Sequence, residues 1–428
     1  MPPDLQIINA RLPDRDGLWN LTLSQGKIAA IAPADLSANP LPNSAAIAPQ
    51  ESAAEILDAS ACLLIPGLVD GHIHLDKALL LDRHPAQLGT FAEAMAETLR
   101  LKQGFTVADI QTRARQVLES AIGFGITAMR SHVEVDPTAG LRSLEALLPL
   151  REEYRWGLTL QLAVFAQEGI TQQPDTLPLL RQAMALGGDV IGSAPYVDAD
   201  PKANVQHIFD IAQEYDCDVD FHLDFLDDDE PLLLPFVIAE TQRRGWQGRV
   251  CLGHMTKLAG LPPAKLADLA AALRDTQISI LALPASDLYM MARQDTHNQR
   301  RGVAPIHRLA EQGVNVGVAT NNILNLFTPF GDGDLLKICT LLAQVLQLGT
   351  AAAHQRCLAM ATTQAARAIG IFDHGLEVGH RADLVLLKAS SVSEAVGAAP
   401  AQRTVIKAGQ VVAQTRLEQQ MFAPVRGV

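Results

Sequence analysis

The chain has little of what builds disulfide frameworks, membrane spans or secreted proteins. Its 428 residues include five cysteines, which lie far apart with no CxxC pair, so neither a disulfide scaffold nor a thiolate zinc site is indicated. No uninterrupted apolar run reaches the roughly 18 residues of a membrane span, and the first residues lack the basic and apolar regions of a signal peptide. We therefore expect a cytoplasmic protein that has no membrane partner.

Positive charge and aromatic residues are also scarce. Asp and Glu outnumber Lys and Arg by 47 to 34, which gives a formal net charge of −13, and the basic residues are scattered singly or in pairs. Because no basic stripe exists to neutralise phosphates, we do not expect nucleic acid as a partner. Aromatic residues make up only 4% of the chain, whereas aliphatic ones are abundant. This composition is typical of a large parallel sheet covered by helices.

Short apolar runs alternate with helical stretches through the middle of the chain, and this alternation predicts a parallel sheet. Both ends of the chain instead alternate apolar and polar residues around turn signals, as antiparallel strands do. We predict an α/β fold, in which residues 59–372 form a (β/α)8 TIM barrel and residues 1–58 and 373–428 build a small β-sandwich domain. The eight runs that supply the barrel strands are 63–75, 125–135, 157–168, 189–195, 218–225, 249–255, 278–284 and 315–322.

Histidines stand near the ends of several predicted strands, and in a barrel these ends converge on one mouth, where active sites lie. His72 and His74 are two residues apart on one strand, so their side chains point the same way and can share a metal ion. His222 ends the fifth run and His254 the sixth, which places four imidazoles around one cavity. A core histidine is the alternative for each of them alone, and His132 fits that alternative. Together they predict one divalent metal ion.

Three neutral imidazoles leave one coordination position open, and water bound there ionises near neutral pH, which suits hydrolysis. His254 is then placed to assist proton transfer. Gln167, at the end of the third run, offers a donor and an acceptor to an amide-like ring edge. The alternative for Gln167 is an amide that caps a neighbouring loop, and the alternative for Lys77 is a surface or salt-bridged side chain.

Several segments resemble motifs of the amidohydrolase superfamily, in particular its members similar to cytosine deaminase and to N-isopropylammelide amidohydrolase. The resemblance covers nearly the whole chain. It implies a barrel with a terminal β-sandwich, and hydrolysis of a C–N bond on a small nitrogen heterocycle such as a pyrimidine or triazine by water activated on zinc or iron. The segments are residues 66–77 (PGLVDGHIHLDK), 130–136 (RSHVEVD), 164–170 (VFAQEGI), 253–254 (GH), 328–334 (TPFGDGD) and 379–385 (GHRADLV).

The resemblance also implies roles for single residues. Three histidines match metal ligands, a fourth matches the histidine beside the attacking hydroxide, Gln167 matches a glutamine that holds the substrate ring, and Lys77 matches a lysine of the triazine-degrading members. We predict metal ligands at His72, His74, His222 and Asn321, catalytic residues at His254, Asn321 and Lys77, and substrate contacts at Gln167, Asp136 and Asp224.

Two positions depart from the family's pattern. Asn321 stands where the family has a metal-ligating, proton-shuttling aspartate, and Phe225 stands where cytosine deaminases have a glutamate that protonates the ring. An amide oxygen can coordinate a cation but carries no charge and accepts no proton usefully, so we expect weaker metal binding and poorer base catalysis. Asp224 or the acidic run at residues 227–230 is a candidate replacement, although such a run is more often a solvated loop. No lysine ends the fourth run, so we expect at most one metal ion.

Three hypotheses remain open. The leading one is a mononuclear metallohydrolase that acts on a ring C–N bond. The second is a catalytically silent member of the family that binds a small heterocycle or a partner protein. The third is a barrel that performs metal-independent chemistry through Lys77 or His254. We also expect a homo-oligomer, because relatives of this type often assemble.

Overall fold

The computed structural model describes residues 4–34, 55–225, 228 and 230–422, and its strands form two sheets. The strands are β1 (Leu5–Leu12), β2 (Arg15–Ser24), β3 (Lys27–Pro33), β4 (Glu55–Asp58), β5 (Leu63–Pro66), β6 (Leu68–Ile73), β7 (Ile126–Glu134), β8 (Thr159–Ala166), β9 (Val190–Ser193), β10 (Asp218–Leu223), β11 (Val250–His254), β12 (Ser279–Ala282), β13 (Val316–Val318), β14 (Leu384–Leu387), β15 (Arg403–Lys407) and β16 (Gln410–Thr415). The α-helices are α1 (Phe91–Lys102), α2 (Val107–Gly123), α3 (Arg142–Glu153), α4 (Thr176–Leu186), α5 (Pro201–Tyr215), α6 (Leu234–Arg244), α7 (Pro263–Asp275), α8 (Pro284–Met290), α9 (Ile306–Glu311), α10 (Leu335–Val345), α11 (Ala351–Met360), α12 (Thr363–Ala368) and α13 (Val392–Ala398). None of the described helices is long and apolar enough to cross a membrane.

One sheet contains β6 to β13, each parallel to its neighbours and in sequence order. Strands of a parallel sheet are covered on both faces, and accordingly every residue of β7 is buried. The main chain of Asn321 joins the last strand to the first. Its N–H donates to the carbonyl of His72 at 2.8 Å, and its carbonyl accepts from the N–H of His74 at 2.9 Å. The predicted eight-stranded barrel is confirmed.

The predicted first run, residues 63–75, divides between the two sheets. β5 pairs antiparallel with β14, whereas β6 begins the barrel. Gly67 lies between them, and a Cβ at this position would come 2.1 Å from Oγ1 of Thr127, so the crossing requires glycine. The apolar character of the run continues through the crossing, and it therefore gives no sign of the change of sheet.

The second sheet is mixed and takes its strands from both ends of the chain. Their order is β16, β15, β14, β5, β1, β2 and β3, with β4 parallel to β1. Buried residues alternate with partly exposed ones in much of β1, because one face of the strand packs inward. The sheet has a core of its own, which includes Leu5, Ile7, Leu21, Leu23 and Ile28. The prediction that both termini build one small β-domain is confirmed.

Helix α1 is the element that approaches the mouth of the barrel from outside. It begins after Thr90, whose Oγ1 accepts a hydrogen bond from the N–H of Glu93 at 3.2 Å, a usual N-terminal cap. The Glu93 carboxylate accepts from the N–H groups of Gln87, Leu88 and Gly89, which holds the preceding loop against the helix. The last residue of α1 then reaches the end of β7.

Candidate active site

Four buried histidines, His72, His74, His132 and His222, cluster inside the barrel, and the imidazoles of three of them meet at the carboxyl ends of the strands. His72 lies on β6, His74 follows it, and His222 lies on β10, on the opposite side of the barrel. The Nε2 atoms of His72 and His74 each lie 3.0 Å from Nε2 of His222. All three side chains are almost completely buried. The structure thus brings together three residues that are about 150 positions apart in the chain.

This centre suits a divalent cation. Burial lowers the pKa of each of the three histidines well below its ordinary value, so they are neutral at physiological pH, the form in which imidazole binds a metal. Nitrogen ligands about 2.0 to 2.1 Å from a tetrahedral ion lie about 3.3 Å from one another, which is close to the separations from His222 seen here. The donor set, three imidazole nitrogens, is one that zinc and iron accept.

Asn321 lies on the wall of the same cavity as His74 and His222. Its φ is +65°, in the left-handed region, which asparagine tolerates better than most residues. Nδ2 donates a hydrogen bond to Oγ of Ser286 at 2.8 Å. The Oδ1 atom is buried and accepts no hydrogen bond from any described residue. A buried oxygen of this kind favours a ligand that the protein itself does not supply.

His254 ends β11 and lines the same cavity. Its Nδ1 lies 2.7 Å from Oδ1 of Asp287, a fully buried residue of α8, whose other oxygen accepts from the N–H of Leu283 at 3.2 Å. Burial raises the pKa of Asp287, and the neighbouring His254 opposes that rise. Sequence reasoning missed Asp287. The signal that was available is a polar pair, Ser286 and Asp287, shortly after β12, the seventh strand of the barrel.

Lys77 and Gln167 form a polar pair on another part of the cavity wall. Nζ of Lys77 donates to Oε1 of Glu134 at 2.6 Å and to Oε1 of Gln167 at 3.3 Å. The ammonium also lies 4.8 Å from the centre of the Phe327 ring. Lys77 thus lines the cavity and is salt-bridged at the same time. Gln167 lines the same cavity.

A buried charge network adjoins Lys77, and sequence reasoning missed its centre, Lys102. Nζ of Lys102 lies 3.0 Å from Glu134, 2.6 Å from Asp136 and 2.5 Å from Glu168. These three carboxylates are close enough together to hold a metal ion, but the lysine ammonium already lies between them. Asp136 is not on the cavity wall, and it contacts Lys102 instead of facing the cavity.

The carboxylates of this network titrate very differently. Burial favours the protonated form of Glu134, but attraction to Lys102 and Lys77 outweighs burial and lowers its pKa to about 2. Burial and repulsion from Glu134 raise the pKa of Glu168 to about 8. One proton therefore stays on Glu168 at neutral pH, while Glu134 remains ionised and anchors Lys77.

Asp224 is also absent from the cavity wall. Its two carboxylate oxygens accept from backbone N–H groups at the start of α6, at 2.9 and 3.1 Å. Its side chain therefore fixes the beginning of that helix. In the acidic run at residues 227–230, Asp227 and Asp229 lie outside the described residues.

A small cavity opens onto the histidine centre. Much of its wall is aromatic, and the Phe225 ring lies 4.2 Å from that of His254. Among the described residues, no carboxylate lines the cavity, and Lys77 is the one lysine or arginine on its wall. The aromatic residues of the wall are Phe91, Tyr196, Phe225 and Phe327.

Comparison with known proteins agrees with this description. The amidohydrolase family profile matches residues 55–413. N-isopropylammelide isopropyl amidohydrolase of Pseudomonas sp. (strain ADP) is 26% identical over 96% of this chain and 97% of its own length. Pterin deaminase of Rhizobium rhizogenes is 28% identical over 96% of this chain and 92% of its own. The structure of 5-methylcytosine deaminase from Klebsiella pneumoniae with 5-fluorocytosine superposes with a TM-score of 0.88 at 30% identity, covering 97% of this chain and 99% of that one. The predicted resemblance is confirmed, and the chain belongs to the amidohydrolase family.

Proposed function

We propose that this protein is a metal-dependent hydrolase that removes an amino or alkylamino group from a small nitrogen heterocycle, such as a pyrimidine or a triazine. The observation that carries the proposal is the meeting of three neutral imidazoles beside His254, next to a small cavity whose wall is partly aromatic. The three similar proteins support it, because their names describe removal of amino groups from a triazine, a pterin and a pyrimidine.

His72, His74 and His222 would hold the cation, with Oδ1 of Asn321 as a weak fourth donor. Imidazole donors suit zinc or iron. Such a cation supplies Lewis-acid activation of water, which is otherwise a poor nucleophile at neutral pH. Asn321 is neutral and cannot take the proton that the attacking water releases.

His254 is the residue placed to move that proton. Because its Nδ1 bonds to Asp287, its Nε2 is the nitrogen left to accept the proton from water and pass it to the departing amine. The buried Asp287 carboxylate stabilises the imidazolium that forms, as carboxylates paired with histidine do in hydrolases. Lys77 and Gln167 would bind an oxygen and an N–H on the ring edge, and the aromatic wall would exclude bulk water.

The test is a panel of aminopyrimidines, alkylaminotriazines and aminopterins, with ammonia or amine release measured on protein stripped of metal and then reloaded with Zn²⁺ or Fe²⁺. We expect turnover of at least one compound, which stops on chelation and returns on reloading. Product release that survives chelation would favour the metal-independent hypothesis. Thermal stabilisation by a ring compound without product, at full metal occupancy, would favour the hypothesis of a silent binder. The replacement of ionisable groups by Asn321 and Phe225 is the observation that motivates this hypothesis.

Asp287→Asn is expected to lower kcat by about 100-fold or more, because the amide neither stabilises the imidazolium nor fixes the tautomer of His254. Metal content and KM should change little, because Asp287 contacts neither the histidine centre nor the cavity. The matched control is Asp268→Asn, an exposed residue of α7, which should leave kcat unchanged. An unaltered kcat in Asp287→Asn would show that the Asp287 carboxylate does not assist proton transfer by His254.

A further inference from the structure

The side chain of Asn321 is held by a short chain of hydroxyl groups. Ser286, on α8, is almost completely buried, and its Oγ lies 2.8 Å from Nδ2 of Asn321 and 2.5 Å from Oγ1 of Thr328. Thr328 is fixed in turn, since its N–H donates to Oδ1 of Asn325 at 3.0 Å. Nothing in the reaction proposed above uses Ser286 or Thr328.

An amide in this position needs a fixed orientation, whereas a carboxylate does not. The two ends of the Asn321 side chain have nearly the same shape, but only Oδ1 can bind a cation, and the NH₂ group would repel it. A carboxylate would present an oxygen whichever way it turned. The chain therefore needs a contact that distinguishes the amide nitrogen from the amide oxygen.

Ser286 makes that distinction. A serine hydroxyl has one proton and two acceptor sites. Either hydroxyl can donate in the contact between Ser286 and Thr328. Where Ser286 donates to Thr328, its Oγ has only acceptor sites left, and Nδ2 of Asn321 fills one of them. In that arrangement, turning the amide over would exchange this hydrogen bond for a contact between two oxygens, unless the hydroxyl left Thr328. Oδ1 is left without a partner among the described residues and free to bind a cation.

We propose that Ser286 is a positioning residue that keeps the Asn321 amide oxygen available to the cation, with Thr328 holding the serine hydroxyl in place. This inference rests on the proposed function, because it concerns the same metal site. It adds the means by which a neutral amide serves at a position where the resemblance leads one to expect an aspartate.

The experiment is a double-mutant cycle on zinc affinity. The metal-free wild-type protein, Ser286→Ala, Asn321→Asp and the double variant are each titrated with Zn²⁺ in competition with a chromophoric chelator. We expect Ser286→Ala to weaken zinc binding about 10-fold or more in the Asn321 protein, the usual effect of losing an outer contact to a ligand. In the Asn321→Asp background the same change should weaken it less than about 2-fold, since a carboxylate needs no orientation. Thr328→Val should weaken zinc binding by an intermediate factor, and Thr328→Ser should not.

Equal losses in both backgrounds, or no loss in either, would overturn the inference while leaving the metal site in place. Absence of zinc binding by the folded wild-type protein would overturn the proposed function and this inference together. Circular dichroism melting of all the variants separates a loss of affinity from a loss of fold. Because affinity is measured without substrate, the result does not depend on finding a compound that turns over.

Discussion

The His72→Ala/His74→Ala double variant is expected to lose the bound metal and the activity together. The purified wild-type protein should carry about one equivalent of zinc or iron, and the variant close to none, because the variant loses two of the three imidazoles that meet at the centre. Turnover should fall by about 1,000-fold or more, since water returns to a pKa of about 15.7 once the cation is gone. Metal content is measured by inductively coupled plasma mass spectrometry, and turnover by release of ammonia or amine.

The matched control is His297→Ala, which removes an exposed histidine and should change neither quantity. Near-stoichiometric metal in the double variant would show that the ion binds elsewhere. No metal in the wild-type protein, even after loading with Zn²⁺, would leave the silent and metal-independent hypotheses as the remaining ones. Far-UV circular dichroism checks that the barrel has formed in each variant.

Lys102→Met is expected to cause the largest loss of stability of any single change in the site region. It would leave the carboxylates of Glu134 and Asp136 buried without the ammonium that lies between them and the protonated Glu168. Removing one partner of a buried ion pair typically costs about 3 to 5 kcal/mol. The free energy of unfolding is measured by urea titration at pH 7 and again at pH 5. The loss should be smaller at pH 5, because the unpaired carboxylates can then take up protons.

Lys337→Met is the control, because Lys337 forms an ion pair with Asp332 at the surface, where its side chain is 56% exposed. Such pairs contribute about 0 to 1 kcal/mol, so this variant should unfold almost as the wild type does. A similarly small effect of Lys102→Met would mean that the Lys102 ammonium is not needed to balance the buried carboxylates. A large loss that does not depend on pH would point to lost packing of the lysine stem instead of unpaired charge.

The fold was largely predictable from the sequence, because each barrel strand is a short apolar run and most of these runs end in polar residues. The meeting of His72, His74, His222 and His254 follows from the same rule, since parallel strands bring their carboxyl ends to one mouth. The division of residues 63–75 between two sheets was not predictable. It depends on the space that Thr127 leaves beside Gly67, which no local pattern records.

The supporting residues of the site escaped prediction for a physical reason. Lys102 ends a helix, and which strand end it reaches depends on how α1 packs against the barrel. Asp287 belongs to no recognisable motif, and its role depends on a hydrogen bond to a residue 33 positions away. Asp136 and Asp224 were predicted as substrate contacts, and their side chains bond to Lys102 and to the backbone at the start of α6.

The barrel is closed between its first and last strands by the main chain of Asn321, not by its side chain. Any residue that accepts a positive φ can supply that pair of hydrogen bonds, and asparagine and aspartate both do so readily. Architecture and charge are therefore independent at this position. Replacing the asparagine by aspartate would exchange one side-chain nitrogen for one oxygen. This changes the charge of the proposed metal site by a full unit and leaves the main-chain hydrogen bonds between the first and last strands in place. A lineage can thus pass between a neutral and an anionic site in a single mutational step without ever reopening the barrel.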